Sequence, residues 1–291
     1  MKPVLFSIGD VNIYSYGLLY AIALIAGLLS AEYRAKKHGL DKDFTFNLGF
    51  GCIIFGVIGA KLFYLLTITD RLALDFWGTI SRTLTSGFVV YGGIIIGVLF
   101  GLVYCKRKKK DFWDYLDIAV FSIALGQAIG RIGCFLGGCC HGIATDAWYS
   151  IAFPEGAAEA PAGVPVIPTQ LISSALNLIN AAVLLIAYRR FKQKGCTSAL
   201  YMINYGTGRF LIEFIRDDYR GNIGFLSTSQ FISFFVILLG VILMIVFCKR
   251  GKNKDRSDNS TDQQDGDLRE DESEDELISE AESVLISEED S

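Results

Sequence analysis

Charge is absent from long stretches of this sequence, and its apolar residues lack the three-to-four-residue rhythm of a helix buried on one side only. They fall in unbroken blocks and make up 52% of the chain. That pattern excludes an ordinary soluble helical domain and marks a polytopic membrane protein. No small-residue cleavage pattern follows the first block, so it reads as a retained span rather than a removed signal peptide. The last block has no lysine in its interior, which excludes a retinal Schiff base. Cys134, Cys139 and Cys140 show neither the CxxC spacing of a redox pair nor a standard zinc spacing. Residues 251–291 have no aromatics, and a segment so rich in Asp, Glu, Ser and Gln has too little apolar surface to build a core.

Seven apolar blocks are present: about Tyr14–Ala31, Phe46–Leu66, Phe88–Cys105, Leu116–Leu136, Leu171–Tyr188, Ala199–Ile215 and Gln230–Cys248. Each is near the ~20 residues that a helix needs to cross hydrocarbon. Gly56 and Gly59 give the second block a small-residue face, as Gly92, Gly93, Gly97 and Gly101 do the third. Basic clusters at Arg34/Lys36/Lys37, Lys106–Lys110, Arg189/Arg190/Lys192/Lys194 and Lys249/Arg250/Lys252/Lys254 follow blocks one, three, five and seven. Cytoplasmic loops carry such excess, so the amino terminus is expected outside and the carboxyl terminus in the cytoplasm.

The last segment, 251–291, has 16 Asp/Glu against 4 Lys/Arg, a net of −12; the whole chain carries −4, so residues 1–250 carry +8. The expected architecture is therefore an all-α polytopic membrane domain of seven transmembrane helices at 1–250, followed by a disordered acidic tail at 251–291. An external arm loop at 67–87 interleaves Leu72, Leu74, Phe76, Trp77, Ile80 and Leu84 with charge, which suits a short helix in the interface. The loop at 143–169 is long enough to form a small external cap.

The stretch from Gly130 to Gly142 puts Arg131, five glycines and three cysteines at the end of an apolar block. An unpaired charge near hydrocarbon costs roughly 2–3 kcal/mol, so Arg131 is a candidate for function. Alternating span directions bring Tyr16, Lys61, Tyr91, Arg131, Gln170, Arg209, Glu213 and Arg216 to the outer half of the bundle. Tyr16 also suits a plain interfacial belt and Lys61 a snorkelling lysine. Arg209, Glu213 and Arg216 stand at i, i+4 and i+7, one face of a helix, where Glu213 can pair with either arginine. Arginines outnumber the carboxylate, so the pocket favours an anion, and guanidinium forks suit phosphate oxygens. Within lipid the obvious anion is a phospholipid headgroup.

Tyr16-Gly17-Leu18, Gly59-Ala60-Lys61-Leu62-Phe63-Tyr64, Gly92-Gly93, Gly130-Arg131-Ile132-Gly133 through Gly142, Pro168-Thr169-Gln170-Leu171 and Tyr205-Gly206-Thr207-Gly208-Arg209 with Glu213 and Arg216 occur in one order along the chain. In that order they resemble the prolipoprotein diacylglyceryl transferase family. The resemblance implies a seven-span enzyme of the bacterial cytoplasmic membrane with an external head. Its implied reaction moves the diacylglyceryl group of phosphatidylglycerol to the lipobox cysteine thiol of a prolipoprotein, forming a thioether and releasing glycerol phosphate. Partners would be phosphatidylglycerol and prolipoprotein signal peptides; no cofactor, metal or nucleic acid is called for.

On that resemblance Arg131 and Arg209 hold the headgroup and the departing phosphate, and Tyr205 and Tyr91 complete the catalytic set. Tyr16, Lys61, Gly92, Gly93, Gly142, Gln170, Glu213 and Arg216 join Arg131 in binding substrate. Gly142 would leave room for the substrate and Gln170 would orient it. Three positions depart from the family pattern: Tyr91 replaces a common histidine, and Cys134 and Cys139 replace asparagine and glutamate. Tyrosine, with an unperturbed pKa near 10, is a poor base at neutral pH, and His141 is an alternative. Two other readings compete: a non-catalytic lipid-binding or transport protein on the same bundle, and a membrane thiol oxidoreductase using the three cysteines.

Overall fold

The computed structural model describes residues 4–8, 11–70, 76–83, 87–191, 193–217, 222–223, 225–247 and 249. The acidic tail, the arm positions Leu72, Leu74 and Leu84, and Cys248 lie outside the described residues. Two compact units divide at Met244, and the helical bundle and its site belong to the first.

Helix α1 runs Ser15–Lys37, α2 Lys42–Thr67, a short α3 Phe76–Thr83, α4 Val90–Arg107, α5 Phe112–Gly137, α6 Thr169–Arg190, α7 Cys196–Ile212 and α8 Thr228–Phe247. Several boundaries extend beyond the apolar blocks because polar residues cap helices as readily as apolar ones fill them. Asp41 accepts the Phe44 N–H at 3.0 Å and Asp111 that of Trp113 at 3.0 Å, satisfying donors that a helix start leaves unpaired. Arg34, Lys36 and Lys37 form the basic last turn of α1, where a helix carboxyl end favours cations. Ser227 and Gln230 make a reciprocal cap at α8: the Gln230 N–H donates to Ser227 Oγ and the Ser227 N–H to Gln230 Oε1, both at 3.1 Å.

Among the described residues six helices, α1, α2, α4, α5, α6 and α8, are long and apolar enough to cross a membrane. Helix α7 has 17 residues and is shorter than these. The described residues are mostly helical, consistent with an all-α polytopic membrane protein, and among them three short antiparallel pairs accompany the helices: Val4–Ile8 (β1) with Val11–Tyr14 (β2), Ile151–Ala152 (β3) with Pro165–Val166 (β4), and Asn222–Ile223 (β5) with Leu226–Ser227 (β6). The second pair sits in the 143–169 loop, which has its own small core of buried Phe153, Ala160 and Val166 against Phe135 of α5.

Neighbouring helices are antiparallel and approach through small residues. A Cβ on Gly92 would lie 2.4 Å from Phe63 Cβ and 2.7 Å from Gly59 O, and one on Gly93 2.8 Å from Gly56 O. The faces foreseen on the second and third blocks therefore pack on each other, backbone to backbone. A side chain added at Gly92 or Gly93 would thus meet α2 rather than open space. At the other end of the bundle, Asp117 of α5 accepts the N–H groups of Gly195 at 2.6 Å and Ser198 at 2.7 Å, joining α5 to the start of α7.

Filling the α2–α4 contact should separate the helices. Gly92→Ala is expected to cost about 1–3 kcal/mol, the usual range for overpacking, and to lower the melting temperature of the detergent-solubilised protein. An unchanged melt would show that the pair has slack.

Candidate functional site

A cleft opens between α5, α6 and α7, lined by Arg131 from α5, Ser173, Asn177 and Asn180 from α6, and Asn204, Tyr205 and Arg209 from α7. The α6 contributors stand at i, i+4 and i+7, so one stripe of that apolar helix is polar. Asn204 Nδ2 donates to Asn180 Oδ1 at 3.0 Å, and Asn177 Nδ2 to Ser173 O at 2.9 Å. Ser173, Asn177 and Asn180 are missing from the sequence-based candidates, although their helical spacing within an apolar block was a usable signal. The cavity volume is about 40 Å³, room for only a few waters. Beside Arg131, a Cβ on Gly130 would meet open space, whereas Gly133 packs on Leu19 and Tyr16 of α1.

Arg131 and Arg209 meet at this cleft in different states. Arg209 Nη2 lies 2.9 Å from Glu213 Oε2 and donates to Ser229 Oγ at 2.8 Å. The Glu213 contact is short, yet Oε2 accepts no well-aligned hydrogen bond, so the attraction there is Coulombic. Ser227 Oγ donates to the other oxygen, Oε1, at 2.8 Å. Arg131 is half-buried, and among the described residues no carboxylate lies within ion-pair reach of it. Positive charge therefore exceeds negative charge around the cleft.

The shared helix face foreseen for Arg209, Glu213 and Arg216 is half right. Helix α7 stops at Ile212, Glu213–Ile215 tighten into a 3₁₀ turn, and Arg216 is extended. Arg216 still reaches Glu213, with Nε 3.9 Å from Oε2, because its backbone pairs with Gly142 and no longer follows the helix. The Ile143 N–H donates to Ile215 O at 3.0 Å and the Asp217 N–H to His141 O at 3.3 Å. A Cβ on Gly142 would fall 2.6 Å from Ile215 O and 2.8 Å from Ile167 Cβ. That glycine makes room for the chain itself.

The other expected residues are placed apart from the cleft. Gln170 is fully buried and donates through Nε2 to Cys139 O at 2.8 Å, so it holds the cysteine loop. Lys61 donates to Thr83 O of α3 and lies over the Phe88 ring, 3.9 Å from its centroid. Tyr16 stacks on Tyr20 within α1, with centroids 6.0 Å apart, and Tyr91 is exposed on α4. None of these three lines the cleft. His141 is buried, with Nδ1 2.9 Å from Gly142 O.

Cys134, Cys139 and Cys140 come together at the end of α5, all three sulfurs within 4.8 Å of one another. Hydrogen bonds from Cys134 and Cys139, helped by the charges of Arg216 and Arg131, hold the Cys140 thiol well below its ordinary range. Hydrogen bonding to Cys134 and Cys140, together with burial, pushes Cys139 up.

The family model described as prolipoprotein diacylglyceryl transferase matches residues 3–246. The chain belongs to that family. It is 40% identical over 243 residues to a phosphatidylglycerol–prolipoprotein diacylglyceryl transferase of Clostridium tetani, covering 84% of this chain and 96% of that protein. Similarity to the protein named phosphatidylglycerol–prolipoprotein diacylglyceryl transferase 2 of Clostridium perfringens is 40% over 257 residues, 87% of this chain and 98% of the relative. A third relative with the same transferase name, from Clostridium botulinum, is 34% identical over 251 residues, 85% of this chain and 96% of its own. Membership in a transferase family favours neither the binding-only reading nor the thiol oxidoreductase.

Glu213 offsets two guanidiniums at once, so its loss should be felt through stability as well as function. Glu213→Ala is expected to destabilise by about 3–5 kcal/mol, as for a buried ion pair that loses one partner. Glu213→Gln should cost less, and thermal unfolding in detergent will order the two.

Proposed function

We propose that this chain transfers the diacylglyceryl group of phosphatidylglycerol to the lipobox cysteine thiol of prolipoproteins, the first step of lipoprotein maturation, at the cleft between α5, α6 and α7. The observation that carries the reading is the half-buried Arg131, with no carboxylate in reach among the described residues, sharing with Arg209 a cleft lined with asparagines. A buried positive excess in a membrane domain is stabilised by an anionic ligand. The lipid phosphate supplies that anion while its acyl chains stay among the helices.

In the reaction the thiol sulfur bonds to the glyceryl carbon, the bond from that carbon to phosphate oxygen breaks, and the thiol proton ends on the phosphate monoester or in solvent. Glycerol phosphate departs carrying the electron pair of the broken bond. Negative charge grows on the phosphate as this happens, so Arg131 and Arg209 bind the transition state more strongly than the intact lipid. Tyr205 and the amides of Asn177, Asn180 and Asn204 orient the headgroup in a cleft too small for it at rest, so binding requires side chains or helices to shift. Tyr91, Tyr16 and Lys61 stand outside this set and act on binding only from a distance.

The basic ends of α1, α4 and α6 face the cytoplasm on the same reading, and the bacterial cytoplasmic membrane is the location. The cleft and the 143–169 cap then lie outside, with α7 and its 3₁₀ turn completing a seventh span. Residues 1–250 form the transferase domain and 251–291 a solvated acidic tail.

Purified protein supplied with radiolabelled phosphatidylglycerol and a lipobox peptide should label the cysteine peptide and leave the serine peptide unlabelled. Arg131→Ala and Arg209→Ala should each lower kcat/KM by about 10²–10³, the loss of one transition-state charge partner, with membrane insertion unchanged. Near-normal turnover in both would overturn the phosphate clamp.

A further inference from the structure

We propose that Cys134, Cys139 and Cys140 form a three-thiolate site for one soft divalent metal ion. Metal–sulfur bonds of about 2.3 Å place three ligand sulfurs about 4 Å apart around a shared ion. The three Sγ atoms here already lie within 4.8 Å of one another, so sub-ångström shifts complete the arrangement. The linear spacing hides this, since two ligands are adjacent and the third is five residues before them.

Folding makes the juxtaposition possible. Gly138 ends α5 in the left-handed region, and Cys140 is itself left-handed at φ 61°, an uncommon state for a residue with a side chain. Three hydrogen bonds keep the loop there: Thr169 Oγ1 to Cys140 O at 2.7 Å, Gln170 Nε2 to Cys139 O at 2.8 Å, and the Cys140 N–H to Glu159 Oε2 at 3.2 Å. A scaffold braced from α6 and from the 143–169 loop is the outer support that a metal site needs.

Charge points the same way. Three thiolates around a divalent ion carry a net −1, and Arg131 stands one helical turn from Cys134 on α5, at i and i+3. Ligation releases the thiol protons, so uptake strengthens as pH rises. Only three protein ligands converge among the described residues, leaving a fourth position for solvent or a small ligand. Thiolates select soft cations over calcium or magnesium. Metal binding here is independent of the transferase reading, and either can fail alone.

The test uses the full chain in detergent, reduced and stripped with a chelator, titrated with Cd²⁺ while the ultraviolet sulfur-to-cadmium charge-transfer band is followed. One equivalent per chain should saturate the band, and Zn²⁺ should displace the cadmium only in large excess, because thiolates favour the softer ion. Cys134→Ser, Cys139→Ser and Cys140→Ser should each weaken binding at least about tenfold, the triple substitution should abolish the band, and Cys52→Ser should leave it intact. Carboxylates in the 251–291 segment give no thiolate band. A wild-type protein without the band overturns the proposal whatever the variants do, and so does a band that survives the triple substitution.

Discussion

Glu213 ends one helix, steadies another and anchors a loop, and the shape of the site depends on it. Its Oε2 lies between Arg209 and Arg216, while Oε1 accepts from the residue that caps α8. The turn carrying it tightens just past α7, which lets Arg216 leave the helix and pair with Gly142. Through Gly142 the same strand-like contact sets Ile167 and the start of α6. One carboxylate thus couples α7, α8, the 143–169 loop and α6. Its charge is committed to Arg209 and Arg216, and Arg131 is left without a carboxylate partner among the described residues.

That arrangement distinguishes arginines which a list would merge. Arg216 reaches Glu213 from the extended chain beyond the 3₁₀ turn, and Arg209 lines the cleft while held by Glu213 and Ser229. Arg131 lines the same cleft without a carboxylate partner among the described residues, and on the proposed function it joins Arg209 in holding the phosphate. Close packing of small residues between α2 and α4 supports this from a distance, since backbones in contact are stiffer than side chains in contact.

Much of this could be read from the residues in order. Apolar blocks located the helices, because hydrocarbon selects length and composition directly, and Gly56, Gly59, Gly92 and Gly93 announced a close helix pair. Arg131 and Arg209 were singled out by the direction of their spans and Tyr205 by the family resemblance, and all three line the cleft. Other features were hidden for physical reasons. Asn177 and Asn180 carry no charge, and a scan for costly residues passes over amides. The departure of Arg216 from the helix depends on a backbone pairing with Gly142 from a distant part of the chain, which no local period encodes. Gly142 was noticed for its missing side chain, which the backbone of Ile215 and the side chain of Ile167 approach closely. The short strands were overlooked because two-residue pairs leave no alternation to detect.

The uncompensated guanidinium of Arg131 also bears on how the products leave. On the proposed function, a charge that gathers the lipid phosphate would hold the liberated glycerol phosphate as well, and the freed product would have lost the acyl chains that compete to draw it back into the bilayer. Escape into water then becomes a step of its own, governed by how well ions outside the membrane screen the site; at physiological ionic strength that screening acts over about 8 Å. On the proposed function, turnover would accordingly be tied to the salt of the medium on the cleft's side through product departure, as well as to the lipid composition of the membrane through substrate entry.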